Sequence, residues 1–168
     1  MNPDDWKQWR ALRLQALTDA PSAFGSSLED AQRFEEVDWR ERLSDRAIFA
    51  AFSGGDTARQ AAGVVGAMQG EDPACCELVS MWVRPDARGH GVGDALVQAV
   101  LSWSGEHGYR HVLLWVTEGN WAAARLYERL GFAATGQRQP VVPGDTSRLE
   151  IEMIRPLAPN SGLAGGDG

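Results

Sequence analysis

The spacing of apolar residues changes abruptly near the middle of this chain, and that change dictates how the segment must fold. Over Glu77–Val83 the residues alternate as in a strand, with Glu77, Val79, Met81 and Val83 on one face and Leu78, Ser80 and Trp82 on the other. After Gly91, Val92, Leu96, Ala99, Val100 and Trp103 recur every three or four residues, which predicts a helix running to about Gly105. The joint is RPDARGHGVG, Arg84–Gly93, with two arginines, a histidine and three glycines. A strand that feeds a glycine-rich turn and then a helix converges the unpaired amides of the first helical turn on one point. The positive end of the helix dipole lies there too, and a phosphate fits it. The donors expected are the amides of Arg88, Gly89, His90, Gly91, Val92 and Gly93, with side-chain charge from Arg84 and Arg88. No Gly-Lys-Ser/Thr follows, which gives a triphosphate with magnesium poor support, and the third glycine of the dinucleotide fingerprint is missing.

Around this joint, Trp6, Trp9, Leu12 and Leu17 predict a first helix over Trp6–Leu17, with Asp4 or Asp5 as its N-cap. Pro21 and Gly25 end that pattern, and LEDAQRFEEVDWRERL then reads as one polar helix or two short ones. RAIFAAFSGG and QAAGVVGAMQG form a strand hairpin with its tip around Asp56 and Thr57. Val112–Val116 is the most apolar strand and belongs at the centre of a sheet. Asn120 caps a further helix whose Ala123, Leu126, Tyr127 and Leu130 share one side before Gly131 ends it. FAATGQ and SRLEIEMIRPL close the sheet around a Pro/Gly loop. The order of elements implies one α+β domain over residues 1–157, with residues 158–168 as a flexible tail.

Sixteen Lys and Arg against 23 Asp and Glu leave a net charge of −7, which disfavours nucleic acid or an anionic membrane as partner and favours a cationic one. The start MNPDDWKQW is no export signal, and no apolar run reaches the roughly 18–20 residues that span a bilayer, so a cytoplasmic location is expected. Cys75 and Cys76 are adjacent, and His90, His107 and His111 do not group with them at metal-ligand spacing, so no metal site is expected.

Two motifs in this order resemble those of the GCN5-related N-acetyltransferase (GNAT) superfamily. RGHGVG places Arg88, Gly91 and Gly93 at its Arg/Gln-x-x-Gly-x-Gly positions. NWAAARLYERLGF matches its second signature at Asn120, Ala123, Leu126, Tyr127, Gly131 and Phe132. The similarity covers roughly Arg46 to Pro156. It implies α/β/α layers: a mixed, mostly antiparallel central sheet splayed between the family's fourth and fifth strands, with helices on both faces. Here those strands are Glu77–Val83 and Val112–Val116, since the family's usual first strand has no counterpart before the first helix. The implied cosubstrate is acetyl-CoA. Its pantetheine arm would pair with the backbone of Met81, Trp82 and Val83, and its pyrophosphate would lie on the amides of Arg88–Gly93.

The implied activity moves an acetyl group from the CoA thioester to a primary amine, of a small molecule, a peptide N-terminus or a lysine, by direct transfer in a ternary complex. Alternatives are another acyl-CoA donor on the same fold, or a non-catalytic module that binds acyl-CoA. Tyr127 holds the family's usual acid position, or else fills the core. Glu77 is the candidate base, or an edge carboxylate. Asn120 caps its helix and is a candidate to bond the cofactor arm or a water, and the Val83 amide is the candidate oxyanion donor. For the acceptor, the first two helices, the hairpin tip and RQPVVPGDTS are the expected walls, with Trp39 and Trp121 as possible lining and Glu29, Asp30, Glu35 and Glu36 as possible attractants for a cation. Monomer and homodimer both remain open.

Overall fold

The structure, a computed structural model, describes residues 1–54 and 60–158. The expected hairpin tip at Asp56 and Thr57, and the expected tail apart from Ala158, lie outside the described residues. The elements are α1 (Trp6–Asp19), α2 (Leu28–Arg33), α3 (Glu36–Ser44), β1 (Ala47–Ser53), β2 (Gln60–Gln69), β3 (Cys75–Val83), α4 (Val92–Glu106), β4 (His111–Thr117), α5 (Trp121–Arg129), β5 (Ala133–Val142) and β6 (Asp145–Pro156). The six strands form one sheet in the order β1-β2-β3-β4-β6-β5. Among the described residues only the β3–β4 pair is parallel. No strand precedes α1 among the described residues.

Each face of the sheet buries its own core. On one side Leu96, Val97, Val100 and Leu101 of α4 and Tyr127 of α5 cover Val65, Ala67, Leu78, Val112 and Leu114. On the other, Trp9, Leu12, Ala16 and Leu17 of α1 and Trp39 and Leu43 of α3 cover Ile48, Val64 and Trp82. The helical stripes read from spacing are therefore the packing faces, and two layers of helix enclose the sheet.

Three local expectations are corrected. Asp5, one of the two expected residues, does occupy the N-cap position of α1, but its side chain makes no capping bond there. Asn2 instead caps a 3-10 turn at Pro3–Asp5 by accepting the Asp4 amide at 2.9 Å, and α1 continues from that turn. The expected Pro/Gly loop is mostly strand, because β5 and β6 close on a turn at Pro143 and Gly144 (φ 86°). Pro140 is tolerated within β5 because that strand is at the sheet edge and pairs only with β6.

The third correction shapes the site. β3 does not alternate throughout, because Ser80 sits at φ 57°, left-handed for a non-glycine residue, and the β2 register jumps from Val64↔Trp82 to Gly66↔Val79. Two steps along β2 there face three along β3, which is a β-bulge, and a bulge reverses the faces beyond it. Leu78 accordingly packs under α4, whereas Trp82 packs under α1, and Met81 and Val83 join the α4 side. Just before the bulge, β3 stops pairing with β4: the parallel ladder runs from Cys75↔His111 to Leu78↔Leu114 and no further. The sheet is splayed from that point.

Candidate active site

The splay opens a cleft of about 600 Å³ between Val79–Val83 of β3 and Trp115–Thr117 of β4. Its β3 wall offers backbone. The Arg84 amide donates to Ala62 O at 2.8 Å, and the alternation of an antiparallel ladder then turns the N–H and C=O of Val83 away from β2 and toward the gap. Val83 O is taken by Arg88 Nε at 3.0 Å, leaving the Val83 N–H to face the cleft. By the same alternation Trp82 directs its backbone to β2, opposite Val64, and its indole Nε1 donates to Asp19 Oδ2 at 3.0 Å.

The glycine loop joins β3 to α4 through a 3-10 turn at Pro85–Ala87. Gly89 (φ 77°) and Gly91 (φ 79°) both need the left-handed region, and nothing lies within 4 Å of where a side chain would begin on either, so the backbone is bare on its outer side. Gly93 serves packing instead: a Cβ there would stand 3.1 Å from Leu126 Cδ2 of α5. The first α4 bond runs from the Ala95 amide to Gly91 O at 3.0 Å, which leaves the amides of Val92, Gly93 and Asp94 without helical partners. The Arg88 amide donates to Pro85 O at 3.3 Å, so it drops out of the expected donor set. Both loop arginines are also engaged by protein groups. The Arg88 guanidinium pairs with Asp19, and that of Arg84 bonds Ala61 O at 3.0 Å. His90 is exposed, with Nδ1 2.8 Å from Arg88 O. Asp94, a carboxylate in the first turn of α4, is paired with Arg129, whose Nη2 reaches both of its oxygens at 2.8 and 2.9 Å.

Tyr127 reaches the cleft from α5, its ring edge-on to Phe132 at a centroid distance of 5.8 Å. Burial pushes its phenol well above the ordinary tyrosine value, so it holds its proton at neutral pH. Glu77 enters from β3. Burial first, then the Glu150 and Glu71 carboxylates, push its acid up, against a weaker opposite pull from Arg46. Asn120 lines the cleft while its Oδ1 accepts the Ala123 amide at 3.3 Å, capping α5. Cys75 and Cys76 are buried free thiols, and burial pushes Cys75 up to about 11, so neither is a thiolate nucleophile. Among the described residues no group of His, Cys, Asp and Glu forms a metal site, and no helix is long and apolar enough to cross a membrane.

The acceptor-side expectations fare less evenly. Trp39 is in the α1–α3 core and Trp121 is 68% exposed, and neither lines the cleft. Glu29 pairs with Arg33 and Glu36 with Arg40 along exposed helix faces, while Asp30 accepts the Ser27 hydroxyl. What does face the cleft beside Glu77 is a set the sequence did not single out: Arg13, Phe24, Arg46, Gln139 and Glu150. The link between α1 and α2 brings Phe24 there. It packs so closely on β5 that a Cβ on Gly25 would meet Val141 O at 2.8 Å, and Arg148 ties it further by donating to Ser22 O at 3.0 Å. RQPVVPGDTS does contribute a wall, through Gln139, but as strand.

Residues 7–132 match the model of the acetyltransferase (GNAT) family. This chain belongs to that family. Among curated relatives, the GNAT chain is 35% identical over 133 residues to the mycothiol acetyltransferase of Thermobispora bispora, a match covering 76% of this chain and 43% of that protein. The chain thus spans less than half the length of that relative. Among solved structures, an acetyltransferase of the GNAT family from Streptococcus pneumoniae has a TM-score of 0.73 at 20% identity, covering 94% of this chain and 96% of its own. The yncA protein of Salmonella typhimurium, solved with its cofactor acetyl-CoA, has a TM-score of 0.73 at 17% identity, covering 99% and 95%. These two establish the likeness of fold.

Proposed function

We propose that this GNAT chain transfers an acetyl group from acetyl-CoA to a primary amine of a small molecule or peptide, directly, within a ternary complex. The observation that carries the reading is the splay itself. One cleft receives the unpaired Val83 amide, a protonated phenol from the α4–α5 face and a carboxylate from the α1–α3 face. The residues present fit the cosubstrate. The freed edge of β3 at Met81 suits the amide-bearing pantetheine arm, and the bare backbone of Gly89–Gly93 with the first-turn amides of α4 suits the pyrophosphate.

When bound, the thioester supplies an acyl carbon whose carbonyl oxygen gains negative charge and a sulfur that departs as thiolate. The Val83 N–H donates to that oxygen from a fixed backbone position, so no reorganisation is needed as charge develops. Tyr127 delivers a proton to the sulfur from a phenol that is protonated at neutral pH, as a tyrosine is even without the upward push of burial. Glu77 takes the proton the amine must shed, directly or through water. Its raised acid value brings it closer to working pH than an exposed glutamate.

The test is calorimetry with acetyl-CoA together with thiol release over a panel of amino acids, peptides, polyamines and aminoglycosides. Acetyl-CoA binding with thiol release on some member is expected. The Tyr127→Phe variant is expected to lose about 100-fold in kcat while its acetyl-CoA affinity changes less than about twofold. Binding without turnover on any amine would assign a binding module instead, and no binding by folded protein would overturn the reading.

A further inference from the structure

The cleft also receives two cations, Arg13 and Arg46, that among the described residues enter no ion pair. Arg13 of α1 stacks its guanidinium over the Phe24 ring at 4.4 Å and donates Nη2 to Ser26 Oγ at 2.9 Å, yet its Nη1 is buried with no acceptor. Arg46, just before β1, likewise leaves Nε buried and unbonded. Among the described residues neither guanidinium has a carboxylate within ion-pair distance, although the chain carries 23 acidic residues. Burial, then repulsion from Arg46 and Arg42, lowers Arg13 to about 10, still charged at neutral pH, while burial and Arg42 lower Arg46 against a weaker opposite pull from Asp45 and Glu77. Buried charged donors without acceptors cost stability and are rare unless a ligand completes them. The other orphaned donors, among them the indoles of Trp9 and Trp39, are neutral or lie away from the cleft.

The same chamber holds carboxylates. Glu150 of β6 lines it with Glu77, accepting from Gln139 Nε2 at 2.8 Å. Opposite charges thus line one cavity without an ion pair between them, although Arg46 is near enough to Glu77 for each to act on the other. Resting on the acetyltransfer reading, we propose that the acceptor is a zwitterionic amine, an amino acid or short peptide, whose carboxylate is bound by Arg13 and Arg46 while its amino group faces Glu77 and Glu150. A bidentate guanidinium–carboxylate contact satisfies the orphaned N–H groups, and Phe24, already stacked on Arg13, holds the plane of that contact.

The experiment compares each common L-amino acid, and glycine-initiated dipeptides, with the carboxamide of the same molecule, by thiol release from acetyl-CoA. The carboxamides carry the less basic amine and more of the neutral nucleophile, so a preference for the acids runs against intrinsic reactivity. We expect kcat/KM to favour the acid by about tenfold to a hundredfold for the best acceptor. That ratio is expected to fall toward one in Arg13→Gln and in Arg46→Gln, and to survive in part in Arg46→Lys, with circular dichroism confirming the fold. Acetyl-CoA affinity, measured by calorimetry on the same variants, is expected to hold. Weaker acetyl-CoA binding with an unchanged acid-to-amide ratio would assign the guanidinium groups to a phosphate of the cosubstrate and overturn the proposal. So would a ratio near one in the wild type, or acetyl-CoA binding with no member of the panel acetylated. Failure of the wild type to bind acetyl-CoA would overturn the acetyltransfer reading and this one with it.

Discussion

Replacing Asp19 by alanine tests how the end of β3 is held. Asp19 Oδ2 accepts Trp82 Nε1 at 3.0 Å and pairs with the Arg88 guanidinium, whose Nε in turn bonds Val83 O at 3.0 Å. Trp82 is 5% exposed, so losing its acceptor strands a buried donor and costs about 1–2 kcal/mol. The Arg88 pair adds little, since that side chain is 52% exposed. For a chain of this size the loss lowers Tm by about 2–8 °C. The Trp82 indole N–H chiefly, and Arg88 further, hold the Asp19 carboxyl below its ordinary value. The ionised carboxylate therefore stabilises the fold fully above the unfolded value of about 3.9, and the benefit disappears as pH falls through the lower folded value. Urea unfolding of wild type and Asp19→Ala at several pH values should show a constant gap from pH 7 to 5 that narrows below about pH 4. A double-mutant cycle with Trp82→Phe should show coupling of about 1 kcal/mol. A gap that persists undiminished into acid, or no coupling to Trp82, would refute the reasoning.

Glu77→Gln should remove the low-pH limb from the pH profile of kcat/KM. With Glu77 as the base, wild-type activity should fall once pH drops through its raised value, because only the carboxylate accepts a proton. Arg129→Ala leaves Asp94 uncompensated in the first turn of α4, and calorimetry at low salt should show acetyl-CoA affinity reduced roughly threefold to tenfold, recovered on adding Asp94→Asn. Gly63→Ala sets a Cβ 2.7 Å from Trp82 O and 3.3 Å from Val83 Cα, forcing β2 from β3 where the cleft begins. Denaturant midpoints should report a loss of about 1–3 kcal/mol with an unchanged slope.

The legible parts of this protein were those coded within a few neighbouring residues. A change of period from two to three or four placed the joint between β3 and α4, and the glycines that occupy left-handed backbone at 89, 91 and 131 stood at the positions the turns required. Asn120 was readable as a cap and Tyr127 as lying on the same helix side as Ala123, because both follow from spacing along one helix. Pro140 misled, since its usual meaning of a break is suspended at a sheet edge.

What tertiary structure decided was everything that depends on which distant segments meet. Ser80 carries no local signal for a left-handed bend, yet its bulge moves Trp82 to the opposite face from Leu78 and coincides with the end of β3–β4 pairing. Arg13, Arg46, Glu77 and Glu150 come from a helix, a strand entrance and two strands far apart in the chain, and nothing in the neighbourhood of any one of them announces the others. Periodicity and turn chemistry act over a few residues, so they determine elements. The charge pattern of a cavity is set by the crossing of elements, which only the packed cores of both sheet faces fix.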